Sequence, residues 1–425
     1  MHAVLEPSTT ASGPVRTQFD NGLTVLSEQV PGVRSVSIGA WVKSATAHEL
    51  PHEMGVSHLL EHMVFKGTAR RDARALALAL EARGGSLDAY TGREHTVFEA
   101  RILPRDLALA CDVIGELVFD PLLQAADLAL EQRVILEEIA TAEETPEDIV
   151  FDLHAQALWG AHSYGYPILG TADTVPRITV DALRERHRRT FRPEAMVVAA
   201  AGDVTHEALV SALRAHGWAR DMPAAVGTVH QPTAPLAPAA HRVHVERDLT
   251  QTHIVLGAPA LAHRDPLESA LAIASNTLGG GMSSRLFQRV RESLGLAYAV
   301  YSFSASYRLD GLHGVYVASA DETAADALDV IRDELQRLSR DGLTAAELRE
   351  GQDQLQGQVV LSLEGSGAYM ARAAAPAVHD EPPRSTAEVL AEIEAVTMDQ
   401  IVEVCERILQ PDRQTILSLG PRPVA

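Results

Sequence analysis

The segment Ser57-His58-Leu59-Leu60-Glu61-His62-Met63 sets two histidines four residues apart, with a glutamate directly before the second. On a helix, positions i and i+4 lie on one face. Two imidazoles held that way can both reach one zinc ion. Glu61, three residues after His58, lies on nearly the same face, where it can hold a proton beside the metal. The order H-x-x-E-H reverses the H-E-x-x-H arrangement of many zinc sites. The chain has 18 histidines, and such a pair on a helix is more often incidental than metal-binding. The surroundings change that balance: Gly55 to Phe65 is otherwise largely apolar. Three polar groups on a buried helix cost free energy unless something satisfies them, and a metal ion would.

A catalytic zinc usually takes three protein ligands and keeps one position open. The two cysteines, Cys111 and Cys405, are far apart and have no ligand spacing. They read as reduced core thiols, which leaves His and carboxylate as ligands. The helical stretch Leu128 to Ile139 is rich in carboxylates. Glu131 and Glu138 are two turns apart and share a face, whereas Glu137 points elsewhere. Acidic residues on a helix are ordinarily a solvated face, and spacing alone does not choose among Glu131, Glu137, Glu138, Glu143 and Glu144.

The elements that must position these groups come in two similar sets. Residues 223–241 are rich in Pro and Ala and poor in pattern, as linkers are. They divide the chain into residues 1–222 and 242–425. In the first half, a strand over Val36–Val42 precedes the His-bearing helix. A helix over Ala73–Arg83, strands at Leu87–Ala89 and Thr96–Ile102, and helices over Asp106–Val118 and Ala125–Glu144 follow. The second half repeats the order. Its strand is Thr252–Gly257 and its first helix Leu267–Leu278, followed by a segment at Arg285–Glu292. Strands at Tyr298–Tyr307 and Leu312–Ala318 and helices over Thr323–Arg340 and Ala345–Ser362 complete it. This mixture predicts an α+β fold of two homologous α/β sandwich halves, each with a mainly antiparallel sheet covered by helices, rather than a doubly wound parallel fold. The second half carries no H-x-x-E-H. The run Leu278-Gly279-Gly280-Gly281-Met282 lacks the Lys-Ser/Thr of a phosphate loop and reads as a turn.

The 425 residues supply material for two or more domains. Hydrophobic residues at 46% and charged residues at 22% are ordinary for a globular protein. The net charge of −21 argues against a nucleic-acid partner. No apolar run is long enough for a membrane span, and residues 1–14 lack the apolar core of a secretory signal, so the expected location is the cytoplasm.

His58-x-x-Glu61-His62, followed after 75 intervening residues (63 through 137) by Glu138 in Val-Ile-Leu-Glu-Glu-Ile, resembles the pitrilysin/insulinase family of zinc peptidases. The resemblance runs from Thr17 to about Leu419. It is strongest to the short two-domain members, such as the β subunit of mitochondrial processing peptidase and the bacterial processing-peptidase-like proteins. It implies His58, His62 and Glu138 as ligands of one zinc per chain, Glu61 as the base, and Glu131 as a support for a ligand histidine. Arg289 and Tyr298, in Arg289-Val290-Arg291-Glu292-Ser293-Leu294-Gly295-Leu296-Ala297-Tyr298, match an Arg and Tyr segment that faces the metal across a chamber, with Arg291 as the alternative arginine. Gly84 to Thr91 resembles the family's substrate strand, giving Asp88, Ala89 and Thr91 as substrate-binding residues; many members carry Asn where this chain has Asp88.

The resemblance implies a clamshell-like chamber between the halves, with the linker as hinge. The implied function is zinc-dependent endopeptidase action on peptides or unfolded segments, Glu61 taking a proton from a metal-activated water. The second half then contacts substrate without binding metal, and a homodimer is expected. The alternative is a non-catalytic or partner-dependent core subunit of a processing-peptidase-like complex.

Overall fold

The computed structural model describes residues 13–223, 227–236 and 239–424. Residues 1–12 and positions 224–226 and 237–238 of the linker lie outside the described residues. In chain order the first half holds β1 (Val15–Gln18), β2 (Thr24–Gln29), β3 (Val36–Val42), α1 (Val56–Val64), α2 (Ala73–Glu81), β4 (Ser86–Thr91), β5 (Thr96–Ile102), α3 (Leu107–Phe119), α4 (Ala125–Glu143), α5 (Pro146–Trp159), α6 (Val180–Thr190), β6 (Met196–Gly202) and α7 (His206–Ala215). The second holds β7 (Arg242–Glu246), β8 (Gln251–Pro259), α8 (Glu268–Gly279), β9 (Ala297–Ser306), β10 (Gly311–Ala320), α9 (Ala324–Asp341), α10 (Ala345–Ser362), α11 (Ser366–Val378), α12 (Thr386–Glu394), α13 (Met398–Ile408) and β11 (Thr415–Gly420). Between α8 and β9, overlapping the segment marked at Arg285–Glu292, Phe287–Ser293 winds as a π-helix.

The first sheet runs β1-β2-β6-β3-β5-β4 and the second β7-β11-β8-β10-β9. Each contains one parallel pair, β2 with β6 and β11 with β7, and all other pairings are antiparallel. The predicted α+β duplication is therefore present, and β4 and β9 occupy matching edges. No helix among the described residues is long and apolar enough to cross a membrane.

The central strands are buried along their whole length: Val-Ser-Ile-Gly-Ala-Trp-Val in β3 and Met-Val-Val-Ala-Ala-Ala-Gly in β6. Such continuous runs mean that both faces of the sheet are covered. On one face, Val36, Ile38, Phe98 and Val198 pack with Leu59, Leu60 and Met63 of α1 and with α3. On the other, Trp41, Val97, Val197 and Ala199 pack with Met370, Ala374 and Ala377 of α11, a helix from the second half. The loan is returned. Val150 of α5, from the first half, packs on Val255, Tyr316, Leu417 and Leu419 of the second sheet.

Each half thus keeps its own main core and lends one helix to the other's sheet. A third apolar cluster joins Ala155, Leu158 and Trp159 to Leu312 of β10. Burial on this scale, at about 1.5–3 kcal/mol for each large aliphatic side chain, opposes rocking of the halves about a hinge at 223–241.

Candidate metal centre

Helix α1 turns Leu59, Leu60, Met63 and Val64 into the first core and leaves His58, Glu61 and His62 on the face toward α4 and β4. Its first turn has no side-chain cap of its own. Instead Glu49, six residues before Gly55, accepts hydrogen bonds from the Gly55 N–H at 2.9 Å and the Ser57 N–H at 2.8 Å. These donors would otherwise be unsatisfied at a helix start. Buried Arg186 of α6 donates to the Ser57 hydroxyl and to the carbonyls of His48 and Ala45. Gly55 has φ +88°, and a Cβ there would meet the Leu169 carbonyl oxygen at 2.7 Å, so the turn entering α1 requires glycine.

Helix α4 brings up the carboxylates. Glu138 Oε2 lies 3.9 Å from His58 Nε2 and 3.8 Å from His62 Nε2, and ligand atoms of the three residues all lie within 4.8 Å of one another. These separations are too long for hydrogen bonds. One cation bonded at about 2.1 Å to each atom could bridge up to about 4.2 Å. Glu138 Oε2 is buried with no hydrogen-bond partner among the described residues. Burial, and secondarily His62, push the His58 imidazole down to about 4, so it carries a free lone pair at neutral pH. Acceptors converging without a donor between them fit a metal ion. Of the five carboxylates that spacing left open, four on α4 and Glu144 at its C-terminal cap, only Glu138 joins this cluster.

Glu131 takes a different place. Its Oε2 sits 3.1 Å from His62 Nδ1, and its Oε1 sits 2.7 Å from Lys66 Nζ. A carboxylate acceptor puts the His62 proton on Nδ1 and leaves the Nε2 lone pair toward Glu138. Lys66, just past the C-terminal end of α1, carries no motif signal in the sequence. Glu49 carries none either, because it caps the helix across a loop.

Glu61 is almost fully buried, and burial raises its carboxyl above the ordinary range, against the Thr91 hydroxyl and His62, which pull it down. The Thr91 Oγ1–H donates to Glu61 Oε2 at 2.5 Å. Thr91 ends β4, whose outer edge has no strand partner among the described residues. Leu87 and Ala89 pack toward the first core, on the face from which Thr91 reaches Glu61. Asp88 alternates to the opposite face, opposite Glu99 of β5, so its side chain points away from the metal cluster.

In the second half the π-helix separates the two arginines. Arg289 is committed to Glu334 at 2.6 Å and Asp333 at 3.0 Å on α9, while the Arg291 guanidinium lies 4.4 Å from the Tyr298 ring centroid and donates to the Tyr298 carbonyl. Of the two candidate arginines, Arg291 is the one in contact with Tyr298. The Tyr298 side chain is exposed on edge strand β9. Among the described residues, no hydrogen bond or ion pair of the metal cluster reaches the second half.

Residues 24–172 match the family model described as Insulinase (Peptidase family M16), and residues 177–355 match Peptidase M16 inactive domain. An uncharacterized zinc protease of Streptomyces coelicolor is 40% identical over 416 residues, covering 96% of this chain and 89% of the relative. An uncharacterized zinc protease of Bacillus subtilis is 33% identical over 399 residues, covering 93% and 96%. Among solved structures, a protease from Helicobacter pylori superposes with a TM-score of 0.90 at 20% identity, covering 97% of this chain and 100% of that one. A peptidase M16 inactive domain from Pseudomonas fluorescens gives 0.88 at 22%, covering 97% and 98%. These last two establish the shared fold.

Proposed function

The chain belongs to the insulinase family of peptidases, M16, and from that premise we propose that it is a zinc-dependent endopeptidase acting on peptides or unfolded segments. The observation that carries this reading is the convergence of His58, His62 and Glu138 beside a buried Glu61. The relatives' names, uncharacterized zinc proteases, support the choice of metal. Zinc, one ion per chain in this reading, supplies Lewis-acid polarisation of a carbonyl and lowers the pKa of water toward ~7.

The chain's own residues do the rest. The Glu61 carboxylate accepts a proton from the attacking water and passes it to the leaving amine. Glu131 fixes the tautomer of His62, and Lys66 holds Glu131. The open edge of β4 pairs with an extended peptide through backbone hydrogen bonds; Ala89 contributes its backbone, and Asp88 contributes no side-chain contact on the metal side. Tyr298 donates to the developing oxyanion and Arg291 holds the substrate, a role the contacts above favour for Arg291 over Arg289.

The chamber, in this reading, closes between two copies of the chain. The exchange of α5 and α11 ties the halves of one copy together, while half-buried Arg291 and exposed Tyr298 make no hydrogen bond or ion pair to the metal cluster among the described residues. Mixing inactive Glu61→Gln chains with inactive Arg291→Ala chains should then restore part of the activity, because one metal centre of the mixed dimer is intact. Cleavage of a mixed library of unstructured peptides, with and without a chelator, tests the activity itself. Chelator-sensitive cleavage is expected; no cleavage by metal-loaded protein would sink the peptidase reading and leave a non-catalytic core subunit.

A further inference from the structure

Thr91 occupies a junction that neither the peptide-pairing edge nor the metal cluster explains alone. Its backbone is the last residue of β4, the strand whose outer edge is open. Its hydroxyl is 2.5 Å from Glu61 Oε2 and 3.3 Å from Thr96 Oγ1, the residue opposite it on β5. A carboxylate only accepts, so Thr91 spends its single hydroxyl proton on Glu61 and is left to accept from Thr96. Thr96 is buried, and its own position is fixed in the middle of the sheet by pairing to Val42 of β3 as well. A short chain of hydroxyls therefore runs from the sheet, through the end of the edge strand, to one oxygen of the carboxylate beside the metal ligands.

Resting on the peptidase reading above, we propose that Thr91 is a positioning residue for Glu61 rather than a substrate contact. It holds Oε2, aims Oε1 at the site where the water stands, and ties the placement of the base to the order of the strand that receives the peptide. Two features favour this over a role in substrate binding. The Thr91 side chain points to the core-facing side of β4, along with Leu87 and Ala89. Its hydroxyl has no donor capacity left for a peptide.

The two roles predict different kinetics. A substrate contact, when removed, raises KM; a residue that aims the base lowers kcat and leaves KM alone. The test is steady-state cleavage of an unstructured peptide by wild type, Thr91→Val and Thr91→Ser, with zinc content and thermal midpoint measured on each. Val keeps the shape and loses the hydroxyl; Ser keeps the hydroxyl. The expected result is a fall in kcat of about ten- to a hundred-fold in Thr91→Val, the scale of one lost hydrogen bond to a charged group. KM, zinc content and midpoint should stay unchanged, and Thr91→Ser should recover most of kcat. Thr96→Val should lower kcat less. An unchanged kcat in Thr91→Val, or a rise in KM alone, would overturn the proposal. Failure of wild type to cleave would instead overturn the peptidase reading on which it rests.

Discussion

The same helix pair appears in both halves and is joined by different chemistry. In the first half α1 packs on α4, and in the second α8 packs on α10. Between α1 and α4 the contact is imidazole to carboxylate, His62 to Glu131, with His58, His62 and Glu138 left as three acceptors facing one another. Between α8 and α10 the contact is amide to amide, Asn276 Nδ2–H donating to Gln358 Oε1 at 3.2 Å. The amide pair satisfies itself with a donor and an acceptor. The three first-half groups form no such donor–acceptor pair among themselves and could together hold a cation. One fold carries both arrangements, so a metal centre here is a matter of a few side chains on two helices.

Predictions that break or sharpen this contrast run from large to small. Replacing the proposed base, Glu61→Gln, should cut peptide cleavage by about 10²–10⁴-fold, the usual range for a lost general acid–base group, while zinc content stays at one per chain. Undiminished turnover would remove Glu61 from the mechanism. Glu131→Gln should weaken zinc binding by about 10–100-fold, as loss of an outer partner of a ligand histidine does; competition with a graded chelator reads this, and unaltered affinity would reduce Glu131 to a packing residue. Arg291→Ala should impair cleavage without loss of zinc, and Arg289→Ala should not, because Arg289 is spent on Asp333 and Glu334; the reverse ranking would restore Arg289 to the substrate role. Smallest, Asn276→Ala in the second half should cost about 0.5–1.5 kcal/mol of stability and change neither zinc content nor turnover. A metal-dependent effect there would mean that the halves are not as distinct as their contacts make them.

The local parts of this centre were legible in the sequence. The spacing of His58, Glu61 and His62 is a property of one helix, and β3, β5 and α10 have the bounds that periodicity predicts. What crosses between elements was not legible. Spacing left five carboxylates on α4 and at its C-terminal cap open, and the packing of α1 on α4 selects Glu138. Glu49 caps α1 from outside the capping position, so no motif announces it. Arg289 and Arg291 stayed alternatives because spacing alone does not say which of them a π-helix turns toward Tyr298. The exchange of α5 and α11 was hidden for a related reason. The Ala-rich face of α11 is a good fit to a flat sheet, but its sequence does not say which sheet.

The most direct measurement is calorimetric titration of zinc into chelator-stripped protein, repeated on His58→Ala, Glu138→Gln and Asn276→Ala. The contrast between the halves predicts one tight site per chain in wild type and in Asn276→Ala. It predicts loss of that site in His58→Ala and at least severe weakening in Glu138→Gln. No tight site in wild type, or a site that survives both first-half substitutions, would contradict it.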